Sequence, residues 1–508
     1  MKRYFLGVDN GGTVSKAAIF DEQGHQIAKA ASQVRMITPQ SGHTERDMEE
    51  LWQVTAATIS EAIQKSRLKP SQIHGVACTG HGKGLYLWGT DDKPCGNGIV
   101  STDTRAWEYP MKWQKDGTAD KAFEKTFQSI LACQPVSLLN WMQDNEPERL
   151  EHVRWIFEVK DYIRFRLTGE ATAELTDYSG SNLLNCATKE FDKDLLGLFS
   201  LEHLYDALPP LVRSTDTCGS ITREAALATG LAEGTPVAGG MFDIDACAIA
   251  MDITSEEHVA VIAGTWSINE YISKKPVLDR SVMMNSLYCM DDYYLIEESS
   301  PTSASNHAWF LDMFLAEERI EAEKRRKHPF AYTDELAAGV GPGDQSMIFL
   351  PYLYGSNFNA QAKASLIGLD SHHTRAQMIR AVLEGIAFGH KVHLNRLLAN
   401  RDHTEAIRLA GGVVSSDIWT RIFCDVFEIP VQTVKTSELG ALGCAMSAAV
   451  ASGTYSDLRE AAQHMVEIDT MLMPEERHRS VYREKFALYE TVSAALDTHW
   501  NQFNLNEK

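Results

Sequence analysis

The chain has 508 residues, 44% of them apolar, and carries 48 basic against 69 acidic side chains for a formal charge of −21. That length exceeds what one core usually holds, so two domains are expected, and the acidic excess argues against nucleic acid or an anionic membrane surface as a partner. Nine scattered cysteines with no CxxC pair or zinc spacing read as reduced thiols of a cytoplasmic protein; the start MKRYFLGVD lacks a signal-peptide apolar region, and no run reaches membrane-span length.

The stretch FLGVDNGGTVSKAAIF (5 to 20) reads as two β-strands joined at a glycine-rich turn, Gly11 and Gly12 supplying the backbone freedom of a tight turn. Amides at such a turn, beside the Thr13 and Ser15 hydroxyls and Lys16, form a concavity able to hold a phosphate chain without a P-loop. Asp9 stands at its mouth, where a Mg²⁺ with its waters can lie between carboxylate and phosphates. A third strand follows through Ile27 to Ala31. Met48, Leu51, Trp52, Thr55, Ile59, Ala62 and Ile63 then recur at helical steps, and a strand from Ile73 to Thr79 runs into GHGKG (80 to 84). Those glycines lack the GxGxxG spacing and precede a strand rather than a helix, which excludes a dinucleotide loop. Residues 105 to 230 alternate helical stretches with polar connections and show no catalytic motif on their own.

VAGGMFDIDACAIA (237 to 250) places two acids, Asp243 and Asp245, in apolar surroundings, and HVAVIAGTWSINEYIS (258 to 273) repeats the strand, Gly-Thr turn, strand pattern of the N-terminus. The repetition half a chain apart suggests duplicated domains, 1–250 and 251–508. Thr374 and Gln377 form a capping box before a long amphipathic helix. AIRLAGGVVSSDIWTRIF (406 to 423) reads as strand, Gly-Gly turn and a helix capped by Ser416 or Asp417, a floor on which a flat ring or a phosphate can approach the backbone. ELGALGCAMSAAVASG (438 to 453) reads as a small-residue helix that packs closely, and 476 to 505 as a final amphipathic helix.

Two Gly-Thr hairpins, an acid after GGMF and a late Gly-Gly turn together resemble the actin-like ATPase architecture: α/β, ribonuclease H-like domains duplicated around a nucleotide and sugar cleft. From DNGGTVSK (9 to 16) through ERDMEELW, DYIRFRLTGE, LPYLYG, VLEGIAFG and LAGGVVSSDIW to ELGALGCA (438 to 445), the chain is similar to the FGGY family of carbohydrate kinases. The resemblance implies ATP and Mg²⁺ as cofactors, Asp9 and Asp243 at the metal, and Gly11, Gly12, Thr13, Ser15, Lys16, Gly264, Thr265, Gly411, Gly412 and Ser415 at the nucleotide. It implies Asp243 as the base that orients the attacking hydroxyl and accepts its proton; Asp245 is the rival acid, and Asp243 is preferred because it stands three residues after Gly240.

At the sugar the resemblance implies His81, Gly82, Lys83, Asp103 and Asp243. GHGKGLYL and SPTSASN (300 to 306) are most similar to the L-xylulose-type pentulose kinases of the family, so the expected reaction is phosphorylation of a terminal hydroxyl of an L-xylulose-like sugar at its 5-position. Ribulose, D-xylulose, a tetrulose, an alditol or glycerol are the other substrates in view, and a non-catalytic sugar-binding regulator or an Hsp70-like ATPase the rival classes. Two departures from the family stand out: Ser101 replaces an aromatic residue before Asp103-Thr104-Arg105, and Ser356 and Asn357 replace a Glu-Arg pair. The partner expected is a small-molecule sugar, with no nucleic acid and no membrane; a homodimer is compatible with the sequence.

Overall fold

The computed structural model describes residues 2–436 and 438–503. The chain forms two compact units: Met1–Thr254 with Ile272–Ile296 and Thr436–Glu467, and Ser255–Tyr271 with Glu297–Lys435 and Ile468–Lys508. The expected division at residue 250 places a single crossing near the end of the first long segment. The chain in fact returns, because the small-residue helix Leu439–Ala451 has its packing partners in the first unit.

In the first unit β1 (Tyr4–Asn10) pairs antiparallel with β2 (Val14–Asp21), which pairs antiparallel with β3 (Gln26–Gln33). On its other side β1 runs parallel to β4 (Ile73–Gly80). The register sets Asp9 opposite Lys16 on one side and Thr79 on the other. Helix α1 (Met48–Ser66) crosses over between β3 and β4; Asp47 caps it by accepting the Glu50 N–H at 2.8 Å, and the residues at helical spacing from Met48 to Ile63 are buried. The helix Leu439–Ala451 approaches β1 and helix α3 (Asp243–Ala250) at backbone contact. A Cβ at Gly7 would lie 1.8 Å from the Ala441 carbonyl oxygen, and one at Gly443 2.2 Å from that of Ala246. That approach is why small residues fill this segment.

The second unit repeats the plan. β5 (His258–Ala263) pairs antiparallel with β6 (Ser267–Ser273) and parallel with β7 (Ala406–Gly411), followed outward by β8 (Val431–Val434) and β9 (Ile468–Leu472). The long helix α4 (Arg375–Leu398) starts at the expected capping box, with the Gln377 N–H on Thr374 Oγ1 at 3.3 Å and the Thr374 N–H on Gln377 Oε1 at 2.8 Å. Ser416 rather than Asp417 caps α5 (Asp417–Phe427), accepting the Trp419 N–H at 3.2 Å. The last helix runs Glu476–Asp497, followed by a short turn of helix Trp500–Phe503; the expected extension to 505 passes into residues outside those described. At Ser356 and Asn357, the positions noted as departing from the family's Glu-Arg pair, Ser356 Oγ accepts the Asn359 N–H at 3.0 Å, and the Asn359 side-chain amide donates to Asp497 Oδ1 at 2.9 Å. No helix among the described residues is long and apolar enough to cross a membrane.

Candidate active site

The β1–β2 turn of the first unit presents its backbone to solvent. Arg46, buried beside it, donates Nη2 to the carbonyl oxygens of Gly11, at 2.9 Å, and Gly12. Because a trans peptide points its N–H opposite its C=O, the Gly12 and Thr13 amides face away from Arg46. Neither Gly11 nor Gly12 adopts a positive φ, so the conformational reason first given for them does not hold. A Cβ at Gly12 would meet nothing within 4 Å, and one at Gly11 would lie in ordinary contact with the Val14 carbonyl oxygen at 3.6 Å. Thr13 is exposed, whereas Ser15 is removed from the site, fully buried with its hydroxyl on Thr55 Oγ1 at 3.2 Å. Strand alternation accounts for this, since Ser15 points to α1 and Lys16 to the open face.

Lys16, its side chain 41% exposed, pairs with Glu438 Oε2 at 3.5 Å. Burial alone would lower its ammonium, but Asp9 and Glu438 outweigh burial and raise it. Asp9 is partly exposed at the end of β1 beneath the first turn of the helix Leu439–Ala451, where a Cβ at Gly440 would lie 3.1 Å from Asp9 Oδ2. The helix N-terminus favours the carboxylate there. Desolvation nonetheless raises the Asp9 carboxyl, with Lys16 opposing and Glu438 reinforcing the shift.

Asp243 opens α3 after a backbone contact that fixes its place. Gly240 has φ +72°, and a Cβ on it would lie 1.9 Å from the Cys78 carbonyl oxygen, so only glycine fits. Thr79 Oγ1 donates to the Met241 carbonyl at 2.7 Å, and the Phe242 N–H to Thr176 Oγ1 at 2.9 Å. Asp243 keeps partial exposure; Asp245 is 0% exposed and accepts the Cys289 N–H at 2.9 Å. Accessibility therefore separates the two acids, Asp243 being partly open and Asp245 enclosed. Burial raises the Asp243 carboxyl well above its ordinary range, the charges of Asp9 and Asp177 raise it further, and Lys83 opposes them. Asp9 and Asp243, two partly exposed carboxylates repelling each other, have the donor chemistry that Mg²⁺ takes when phosphates and water complete its shell. The three metal-capable side chains grouped elsewhere among the described residues, Asp425, Glu475 and His478, pair internally and with Arg421.

Of the residues expected at the sugar, the structure gathers Gly82, Lys83 and Asp243. A Cβ at Gly82 would lie 2.1 Å from Phe242 Cε2, so Gly82 admits the Phe242 ring, and the Lys83 ammonium stands 5.8 Å from that ring's centroid. Lys83 itself has φ +66°. His81 and Asp103 are instead enclosed. His81, 4% exposed, shares hydrogen bonds with Tyr86 OH at 3.0 Å and the Gly82 carbonyl at 3.4 Å, and burial, then Arg46, pull its imidazole down to about 3. Asp103, 1% exposed, accepts the Thr44 N–H at 2.6 Å and two-pronged bonds from Arg105, whose Nη2 also reaches Glu45 Oε1 at 2.7 Å. Both spend hydrogen-bonding groups on the protein in this structure.

In the second unit the expected nucleotide residues lie along one edge. The parallel register puts Ala263 beside Gly411, so the Gly264–Thr265 turn and the Gly411–Ser415 turn leave the sheet side by side. Gly411 has φ +95° and a Cβ there would lie 2.3 Å from the Ala263 carbonyl oxygen; at Gly412 it would meet nothing within 4 Å. Thr265, Gly412 and Ser415 are exposed. The segment SPTSASN belongs to this edge: the Ala304 N–H bonds the Gly264 carbonyl at 2.9 Å and Ser305 Oγ the Thr265 carbonyl at 3.2 Å. Ser303 Oγ meets His390 Nε2 at 2.7 Å, so the segment takes part in a hydrogen-bond network within the second unit.

Arg46, Glu158 and Asp177 went unnoticed in the sequence. An isolated Arg gives no periodic signal; the other two lie in a run, FEVKDYIRFRLTGEATAELTD, whose acids in apolar company are its only mark.

The β1–β2 turn of the first unit, with Asp9 and Asp243 beside it, offers the amides and carboxylates that phosphoryl transfer uses, and a turn of the same design ends β5 in the second unit. Residues 4–250 match the N-terminal domain and residues 259–452 the C-terminal domain of the FGGY family of carbohydrate kinases, and the chain belongs to that family. Its fold is accordingly the actin-like one, it is a carbohydrate kinase, and its phosphate donor is ATP. It is 33% identical over 498 residues, 98% of each chain, to the L-xylulose/3-keto-L-gulonate kinase of Escherichia coli, and 33% identical over 497 residues, 97% of this chain and 99% of the other, to the probable L-xylulose kinase of Pasteurella multocida. The crystal structure of a gluconate kinase from Lactobacillus acidophilus superposes with a TM-score of 0.89 at 25% identity, covering 99% of this chain and 100% of that one.

Proposed function

We propose that this kinase phosphorylates a terminal primary hydroxyl of a small ketose, an L-xylulose-like pentulose at its 5-hydroxyl, with Asp243 as catalytic base. The observation that carries the reading is Asp243 itself, an accessible carboxylate locked at the start of α3, beside Lys83 and facing the charge of Asp9. The substrate hydroxyl, oriented by Asp243, attacks the γ-phosphorus as the bond to the β-phosphate oxygen breaks; ADP leaves and the hydroxyl proton passes to Asp243. The amides at Gly12 and Thr13 and the Lys16 ammonium hold phosphate oxygens, and the open backbone at Gly264, Thr265, Gly411, Gly412 and Ser415 receives the nucleotide. Asp9 and Asp243 would hold Mg²⁺, which when bound neutralises phosphate charge. Lys83, a cationic donor that cannot accept, selects the hydroxyl pattern. The pentulose assignment draws on the names of the relatives at 33% identity and on GHGKG. All nine cysteines are free thiols, in keeping with a cytoplasmic setting.

The test is ATP consumption over a panel of ketopentoses, tetruloses, alditols, glycerol and sugar acids, wild type beside Asp243→Asn. Strongest turnover on L-xylulose, reduced by about 10³-fold in the variant, is expected. Turnover on a different sugar would replace the substrate and keep the base; full activity in the variant would remove Asp243 from the mechanism.

A further inference from the structure

Behind the sugar loop lies a group of buried charges that the reaction does not use. Glu158 immediately precedes helix α2 (Val159–Thr168), whose first turn supplies Lys160 and Asp161, and Glu174 and Asp177 follow after it. Lys160 Nζ lies 3.0 Å from Asp161, 3.3 Å from Glu174 and 3.4 Å from Asp177, and Arg164 holds Asp161 at 2.5 Å. Four carboxyls thus face two cations, with Asp243 and Asp245 close enough to feel Asp177. Glu158 and Asp177 face one another, carboxyl to carboxyl. Glu158 Oε2 accepts the Lys83 N–H at 3.0 Å, while Glu158 Oε1 and Asp177 Oδ1 accept no hydrogen bond among the described residues, and Asp177 Oδ2 faces the Lys160 ammonium at 3.4 Å without a well-formed one. Two ionised carboxylates cannot bond each other; one proton between them satisfies Oε1 and an Asp177 oxygen and removes one of the surplus charges.

Lys83 is the residue that needs holding. Its φ of +66° is uncommon for a lysine, and the glycines on either side, Gly82 and Gly84, add conformational freedom to the loop. We propose that Glu158 is a positioning residue for sugar phosphorylation: with Asp177 bracing it through a shared proton, it pins the Lys83 amide and so aims the Lys83 ammonium at the sugar. Burial, then the Asp177 charge, raise the Glu158 carboxyl well above its ordinary range, in agreement with a retained proton. The inference rests on the assignment of Lys83 to the sugar side.

Glutamine reproduces every bond claimed for Glu158, its oxygen accepting the Lys83 N–H and its amide donating to Asp177; leucine keeps the shape and loses both. The experiment measures sugar KM, ATP KM and kcat for Glu158→Gln and Glu158→Leu, alone and with Lys83→Ala, together with amide hydrogen exchange over residues 81–85. Glu158→Leu is expected to raise sugar KM about tenfold, leave ATP KM within about twofold and speed exchange at the loop; Glu158→Gln restores both readouts. In the Lys83→Ala background Glu158→Leu adds less than about twofold, because the two act as one unit. Unchanged exchange in Glu158→Leu, full additivity with Lys83→Ala, or a Glu158→Gln variant as impaired as Glu158→Leu would each overturn the inference while leaving the kinase assignment intact. Absence of sugar-dependent turnover in the wild type would overturn both.

Discussion

The two Gly-Thr turns share a topology and differ in almost everything else. Around the first, charge is concentrated and partly enclosed: Asp9, Lys16, Glu438 and Asp243 interact, and both aspartates are held above their ordinary range, chiefly by burial. Around the second, the groups presented are uncharged backbone and hydroxyls at Gly264, Thr265, Gly412 and Ser415. One turn gathers charge, and the other exposes backbone and hydroxyl groups. The first therefore has its cost in electrostatics and the second in backbone geometry.

The largest effects should come from the charged turn. Asp9→Asn is expected to lower kcat by about 10²-fold and to raise the Mg²⁺ concentration needed for half-maximal rate, read by titrating Mg²⁺ at saturating ATP. An unaltered Mg²⁺ dependence would take Asp9 away from the metal. Asp243 allows a sharper test because activity and stability should move in opposite directions. Its folded value lies above the ordinary 3.8, so ionising it in the folded state is unfavourable. Its contribution to stability is whole below 3.8 and is lost as pH rises through the folded value. Asp243→Asn, inactive, should thus melt about 1–3 °C higher than wild type at pH 7 and lose that advantage toward pH 3. The same shift moves the acid limb of the wild-type kcat/KM profile above the range of an ordinary carboxylate. A variant that melts lower at pH 7 would mean that the charge is satisfied in the resting protein.

Adjacent glycines of the second turn should separate backbone geometry from ligand space. Gly411→Ala forces a Cβ toward the Ala263 carbonyl at a φ of +95°, at a cost of about 2–4 kcal/mol seen as a lower denaturation midpoint. Gly412→Ala meets open space and should leave the midpoint unchanged while raising ATP KM about tenfold, since the methyl occupies the face offered to the nucleotide. If both substitutions act on stability alone, the second turn is structural.

Much of this organisation is legible in the sequence because it is periodic or punctuated. The hairpins, the capping box at Thr374 and Gln377 and the face of α1 follow from local rules, and the preference for Asp243 over Asp245 agrees with their exposures. What the sequence cannot show is which side of a strand or loop the sheet leaves open. His81 and Asp103 carry hydrogen-bonding groups that suit a sugar, and in the fold they meet Tyr86 and Arg105, close by in the chain, and Thr44, brought in from 59 residues away. The return of Leu439–Ala451 to the first unit is equally invisible, since small residues at helical spacing announce close packing without naming the partner.

The smallest effect concerns Ser15, one strand position from Lys16 and opposite to it in character. Its hydroxyl donates to Thr55 Oγ1, which in turn donates to Asn10 Oδ1 at 2.9 Å. Ser15→Ala removes one buried neutral hydrogen bond and should cost about 0.5–1.5 kcal/mol, with ATP KM changed by less than about twofold. A tenfold rise in ATP KM would instead mean that the turn opens to bring Ser15 onto the phosphates. The loss is confined to stability if β2 keeps its register in the working enzyme, because a one-residue slip is what would exchange the faces of Ser15 and Lys16. The pairing of Asp9 with Lys16 and of Asn10 with Ser15 sets that register, so Ser15→Ala tests whether the charged turn stays rigid while its ligands come and go.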